Sequence, residues 1–125
     1  MKLPTRLLAI FSLFVSLASA DESEFRTATI DLGIVVSDLE KSMKFYTEAV
    51  GFISTGEFTA GKEMTRKSGL SAGEEIVIKK LALGKGPGAT TIKLMQSKMD
   101  KSKKSDQTYI TSSLGFSYLT IHVNS

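Results

Sequence analysis

His122 is the only histidine in the 125-residue chain, and the chain contains no cysteine. Thiol nucleophiles, zinc–thiolate sites and iron–sulfur clusters are therefore excluded. His122 falls near the end of the stretch FSYLTIHV, residues 116–123. By strand parity it shares a face with Tyr118 and Thr120, where an imidazole that titrates near neutrality can act as acid, base or single ligand. No partner for it is identifiable along the sequence, and a partly exposed histidine near a strand end is the plainer reading. Asp38 offers a carboxylate, but its place at the start of a helix explains it through the helix dipole. Gly84-Lys85-Gly86-Pro87-Gly88 has the glycine content of a phosphate cradle. It lacks the lysine–hydroxyl ending of a P-loop and no helix follows, so it reads as a turn. Lys98, Lys101, Lys103 and Lys104 are interspersed with Asp100, Asp106 and serines, the pattern of a solvated loop rather than of a face for nucleic acid.

Lys2 and Arg6 precede an apolar run from Leu7 to Leu17, and Ala18-Ser19-Ala20 follows just before the acidic Asp21-Glu22. This is the pattern of a cleaved secretory signal, and the run falls well short of the roughly 20 residues that span a bilayer. The predicted organisation is a signal peptide over 1–20, a short leader over 21–26 and one domain over 27–125. The expectation is a periplasmic or secreted protein with no membrane attachment after cleavage. Loss of Lys2 and Arg6 leaves 14 basic residues against 13 acidic, so the formal charge falls from +3 to +1. No polyanionic partner is implied, and one modest core must hold without disulfides.

A strand is predicted from Thr29 to Val36. Ile30, Leu32, Ile34 and Val36 alternate there with Asp31, Gly33 and Val35, so one face is apolar and needs a helix to cover it. Ser37-Asp38-Leu39-Glu40 fits a capping box, with Asp38 as the alternative cap. Leu39, Met43, Tyr46 and Val50 then recur at helical spacing, Phe45 and Ala49 widen the stripe, and Gly51 stops the helix. Phe52 to Phe58 is predicted to return beside the first strand, and 59–73 to form a loop with at most a helical turn. Strands over 75–83 and 90–96, joined by the glycine-rich turn, form an antiparallel hairpin with Ile92 and Leu94 opposite in facing to Thr91, Lys93 and Met95. A last strand is predicted over 116–123. Its YLTIHVNS echoes IDLGIVVSD, as if a second strand–helix unit were starting.

GIVVSDLEKSMKFYTEAVGF, with its strand, V-S-D, helical F-Y pair and closing G-F, resembles the opening of a vicinal oxygen chelate domain of the glyoxalase and bleomycin-resistance superfamily. The strands carrying IKLMQ and FSYLTIHV stand where later family strands would. The resemblance covers nearly everything beyond Thr27. It implies an α+β fold built on a βαβββ module, two of which enclose a cleft in a curved sheet. Only the first strand of a second module is present, so the expectation is a natural chain that continues past Ser125, or a second copy that completes the cleft as a homodimer.

Metal-dependent members of the family place ligands on the cleft side of the first strand, the fourth strand and the first strand of module two. Those positions correspond here to Asp31, Lys93 and Tyr118. A lysine ammonium has no lone pair, and a phenol is a poor ligand near neutral pH. The resemblance with a broken ligand set implies no metal cofactor, with Asp31 and Lys93 pairing where the ion would sit. The candidate cleft is Asp31, Val35, Lys93, Met95, Tyr118 and His122, open to a small-molecule ligand. Two other readings stand beside it, a metal-dependent lyase, isomerase or dioxygenase and a dimerising interaction module. No particular reaction is implied.

Overall fold

The computed structural model of the protein describes residues 25–27, 29–99 and 102–124. The expected signal peptide over 1–20 and most of the leader lie outside the described residues. Among those that are described, no helix is long and apolar enough to cross a membrane.

Four strands form one mixed sheet: β1 (Asp31–Val35), β2 (Ile53–Ala60), β3 (Ile76–Ala82) and β4 (Thr91–Met95), in the spatial order β1-β4-β3-β2. A helix, α1 (Leu39–Lys44), continues as a π-helical segment (Phe45–Val50) between β1 and β2, and a short α2 (Lys62–Lys67) lies between β2 and β3. The succession is the expected α+β, βαβββ module, with α2 where only a helical turn was anticipated. β2 does not return beside β1. The helix carries the chain to the far edge, where β2 pairs antiparallel with β3, while β4 takes the place beside β1 as a parallel neighbour. That arrangement aligns Leu32 with Ile92 and Ile34 with Leu94, four apolar side chains on one face.

Asp38, not Ser37, caps the helix. Its backbone is extended, and its carboxylate accepts the Lys41 amide at 2.9 Å. Thr47 explains the widening into a π turn, because its hydroxyl donates to the Met43 carbonyl at 2.9 Å and competes for the acceptor an α turn would use. Gly51 ends the helix at φ 93°, and its amide and that of Phe52 both donate to the Tyr46 carbonyl. Tyr46 packs on the core and meets Phe52 edge to face at 5.7 Å between centroids, whereas Phe45 is 55% exposed and Ala49 is exposed too.

The core lies between helix and sheet. Leu81, Ile92 and Leu94 are fully buried with Phe52, and Leu32, Ile34, Val36, Leu39, Met43 and Val50 pack around them. Ile30 precedes β1 and is exposed. Gln96 locks helix to sheet, its carbonyl accepting the Leu39 amide at 3.1 Å and its amide donating to the Ser37 carbonyl at 2.8 Å.

The strand expected over 116–123 is not formed. Residues 116–124 make no ladder although β1 and β2 are the outer strands of the sheet; the side chains of this stretch, Ile121 excepted, are exposed, and its backbone groups stay with solvent. Ile121 alone of this stretch packs against the helix-side core.

Candidate functional site

The side of the sheet opposite the helix carries the chemistry, and strand register sorts it into three rows. Val35, Met95, Ile78 and Phe58 are aligned across β1, β4, β3 and β2; Gly33, Lys93, Lys80 and Gly56 form the next row; Asp31, Thr91, Ala82 and Ile53 the third. Alternation along each strand puts all three rows on one face. The first row is an apolar band in which Ile78 and Met95 are buried and Phe58 and Val35 are part open. The middle row is two lysines flanked by two glycines.

Lys93 Nζ lies 2.7 Å from Asp31 Oδ2, with the side chains 31% and 47% exposed. The pair crosses diagonally from the middle row to the third. Lys80 stands directly opposite Lys93 on β3, a like-charge neighbour that strand geometry brings to about 5 Å between β-carbons. Among the described residues no carboxylate pairs with Lys80. Beside it, Gly56 adopts φ 126° just after a bulge in β2, and a β-carbon built there would meet nothing within 4 Å. On the other flank, the Met95 methyl reaches over Gly33 at ordinary contact distance.

The structure thus brings Asp31, Val35, Lys93 and Met95 of the expected cleft together. It does not bring Tyr118 and His122 to them through a strand. Both are exposed, and neither makes a hydrogen bond or ion pair with the described residues. Lys80 belongs to this face as well. Parity with Ile78 is the signal that finds it.

A divalent cation does not fit the expected ligand positions. Lys93 supplies an ammonium, with no electron pair to give, and it already occupies the coordinating side of the Asp31 carboxylate. Among the described residues no group of three or more histidine, aspartate or glutamate side chains is placed to hold a metal ion.

A second polar cluster, on the helix side, is architectural. Glu74 is buried, and its carboxylate accepts the Ser97 hydroxyl at 2.6 Å and the Lys98 and Met99 amides at 2.5 and 3.3 Å. These bonds, the Ser97 hydroxyl first, hold its carboxyl below the usual glutamate range. Its carbonyl accepts the buried Thr65 hydroxyl of α2 at 2.7 Å, so one residue ties α2 to the exit of β4. Nearby, Glu57 and Lys79 form a cross-strand ion pair, and the hydrogen bond that Lys79 donates to the Glu57 carboxylate raises the lysine's affinity for its proton. No sequence pattern announced Glu74 or Gln96, because each is a single polar residue flanking a strand.

Concave surface lies elsewhere than on the sheet face, along Leu39, Glu57, Lys79 and Gln96 and within the loop that includes Asp106, Tyr109 and Phe116. On the face that carries the lysines, Ile78, Met95 and Ala82 are buried, while Val35, Phe58 and Asp31 are exposed.

Comparison with known proteins agrees with this architecture. The model of the Glyoxalase/Bleomycin resistance protein/Dioxygenase superfamily matches residues 28–122. A crystal structure of a glyoxalase family protein from Bacillus cereus is similar in fold, with a TM-score of 0.57 at 20% identity, covering 75% of this chain and 62% of that one. The chain thus spans less than two thirds of that protein's length. No curated protein sequence matches it.

Proposed function

The chain belongs to the Glyoxalase/Bleomycin resistance protein/Dioxygenase superfamily, and on that premise we propose that it is an exported protein that binds a small molecule on the sheet face opposite the helix without a metal. The observation that carries this reading is the Asp31–Lys93 ion pair, charge meeting charge where a metal-dependent relative would hold its ion. Val35, Asp31 and Phe58 stay exposed on this face, and a second copy of the chain completing the cleft over them belongs to the same reading. The unpaired outer edge of β1 supports that completion. The lysine- and arginine-led apolar start with its A-x-A ending supports export.

Elemental analysis of the purified protein, with thermal melting before and after a chelator, tests the metal-free reading. Substoichiometric divalent metal and an unchanged melt are expected. A stoichiometric ion whose removal lowers the melting temperature would favour the metal-dependent enzyme instead. Light scattering across a concentration series tests completion by a second copy, for which a mass that rises toward twice the monomer is expected.

A further inference from the structure

We infer that the occupant of the sheet face opposite the helix is an amphipathic organic anion, its carboxylate held by Lys80 and Lys93 and its apolar body lying against Phe58. The inference rests on the cleft-binding reading and adds the chemical class of the ligand and a residue, Lys80, that the reading itself does not use.

Three features converge on it. The first is charge. Lys80 and Lys93 stand opposite each other on neighbouring strands and Asp31 pairs with Lys93, so among the described residues the face carries one uncompensated cation at its centre. Like charges placed directly across a strand pair are mutually destabilising, and an anion between them removes the repulsion while gaining two charged hydrogen bonds. The second is space. Gly56 leaves the position beside Lys80 empty, with nothing within 4 Å of where its β-carbon would be, so a carboxylate can approach the ammonium from the β2 side. The third is the adjoining row. Phe58, 37% exposed, stands one row along from the lysines beside the buried Ile78, an apolar track next to the cationic centre. A head group on the lysines and a hydrocarbon body along that track satisfy both. A neutral ligand leaves the lysines unrelieved, and a cation adds to their repulsion.

The test uses three probes of one length, octanoate, octan-1-ol and octylammonium, titrated into the whole protein while the amide signals of Ile78, Lys80, Lys93 and Met95 are followed by NMR. Octanoate is expected to move these signals with at least about tenfold higher affinity than the alcohol, the loss of one charged hydrogen bond being worth roughly that factor. Lys80→Met is expected to lower octanoate affinity about tenfold and leave that for octan-1-ol unchanged, while Lys80→Arg retains it and Lys85→Met, in the β3–β4 turn, has no effect. Retention by the arginine variant separates a charge effect from a folding defect. If the three probes bind alike, or Lys80→Met binds octanoate as well as the parent, the anion inference is overturned while the cleft-binding reading stands. If no probe moves these signals, both are overturned together.

Discussion

Neutralising Asp31 gives the sharpest test of how this face is held. In the native chain Lys93 has one anion at 2.7 Å and one cation directly opposite. At 4 Å a pair of unit charges gains about 1 kcal/mol in water and about 4 at an effective dielectric of 20. Both side chains are roughly a third to a half exposed, and ordering them has an entropic cost, so the net coupling is about 0.5–1 kcal/mol. Asp31→Asn removes that coupling and also leaves Lys80 and Lys93 facing each other unrelieved, which adds a few tenths of a kcal/mol. The expected loss is about 1 kcal/mol, a shift of about 0.5 M in the urea midpoint for a protein of this size. In the Lys93→Met background the same substitution is expected to cost almost nothing, and Lys80→Met combined with Asp31→Asn is expected to recover part of the loss. In about 1 M salt, where the screening length falls to about 3 Å, the coupling shrinks. Urea unfolding of the four members of the Asp31/Lys93 cycle reads it directly. Effects that add to within about 0.3 kcal/mol would refute the coupling and with it the account of why these two residues share the face.

Leu94→Ala opens a void in the fully buried core and is expected to cost about 2–5 kcal/mol, whereas Phe45→Ala, on an exposed side chain, is expected to cost less than about 1; equal losses in thermal unfolding would contradict the inward assignment of Tyr46. Glu74 has a folded pKa below its ordinary value, so its contribution is present above about pH 4.5 and is lost as the pH falls through the lowered value. Glu74→Gln should therefore flatten the acid limb of stability below that pH; an unchanged slope in urea midpoints against pH would sink the assignment. Gln96→Leu removes both bonds that fasten the helix start to β4 and is expected to cost about 1–3 kcal/mol, with faster amide exchange at Leu39 and Lys41 as its local signature.

Much of the module was legible because it is written in periods. Leu32 and Ile34 alternate, Leu39, Met43, Tyr46 and Val50 recur at helical spacing, and Gly51 needs its positive φ, so strand, helix and stop are local consequences of residue type. Phe45 does not belong to the stripe even at the α-helical pitch, since two residues past Met43 it points about 200° away from it, and it is exposed. The place of β2 was not legible, since nothing within ISTGEFTA distinguishes pairing with β1 from pairing with β3. α2 escaped notice for a related reason, as Gly61 offers no side-chain cap and the stability of the helix comes from Thr65 bonding to Glu74 nine residues on. The alternation over 116–123 is genuine, but a strand is a relation between two segments and alternation describes only one. On the sheet face, the resemblance set Asp31 and Lys93 at two of its cleft positions, and the register of β1 with β4 makes them diagonal neighbours. The row in which Lys80 meets Lys93 emerges only when β3 and β4 are set in register.

The spatial order β1-β4-β3-β2 also governs how quickly the sheet can assemble. β3 and β4 flank a short glycine turn, and hairpins of that kind close in about 1–10 μs. β1 and β4 are separated in sequence by the helix, β2 and β3, so their pairing closes a long loop whose entropy must be met before the pairing rewards it. Stopped-flow folding of Leu81→Ala and Leu32→Ala should show the first slowing folding and the second chiefly hastening unfolding. Until β1 docks, the edge of β4 stands bare, and that interval is when the chain is most open to pairing with a neighbour still in the same unfinished state.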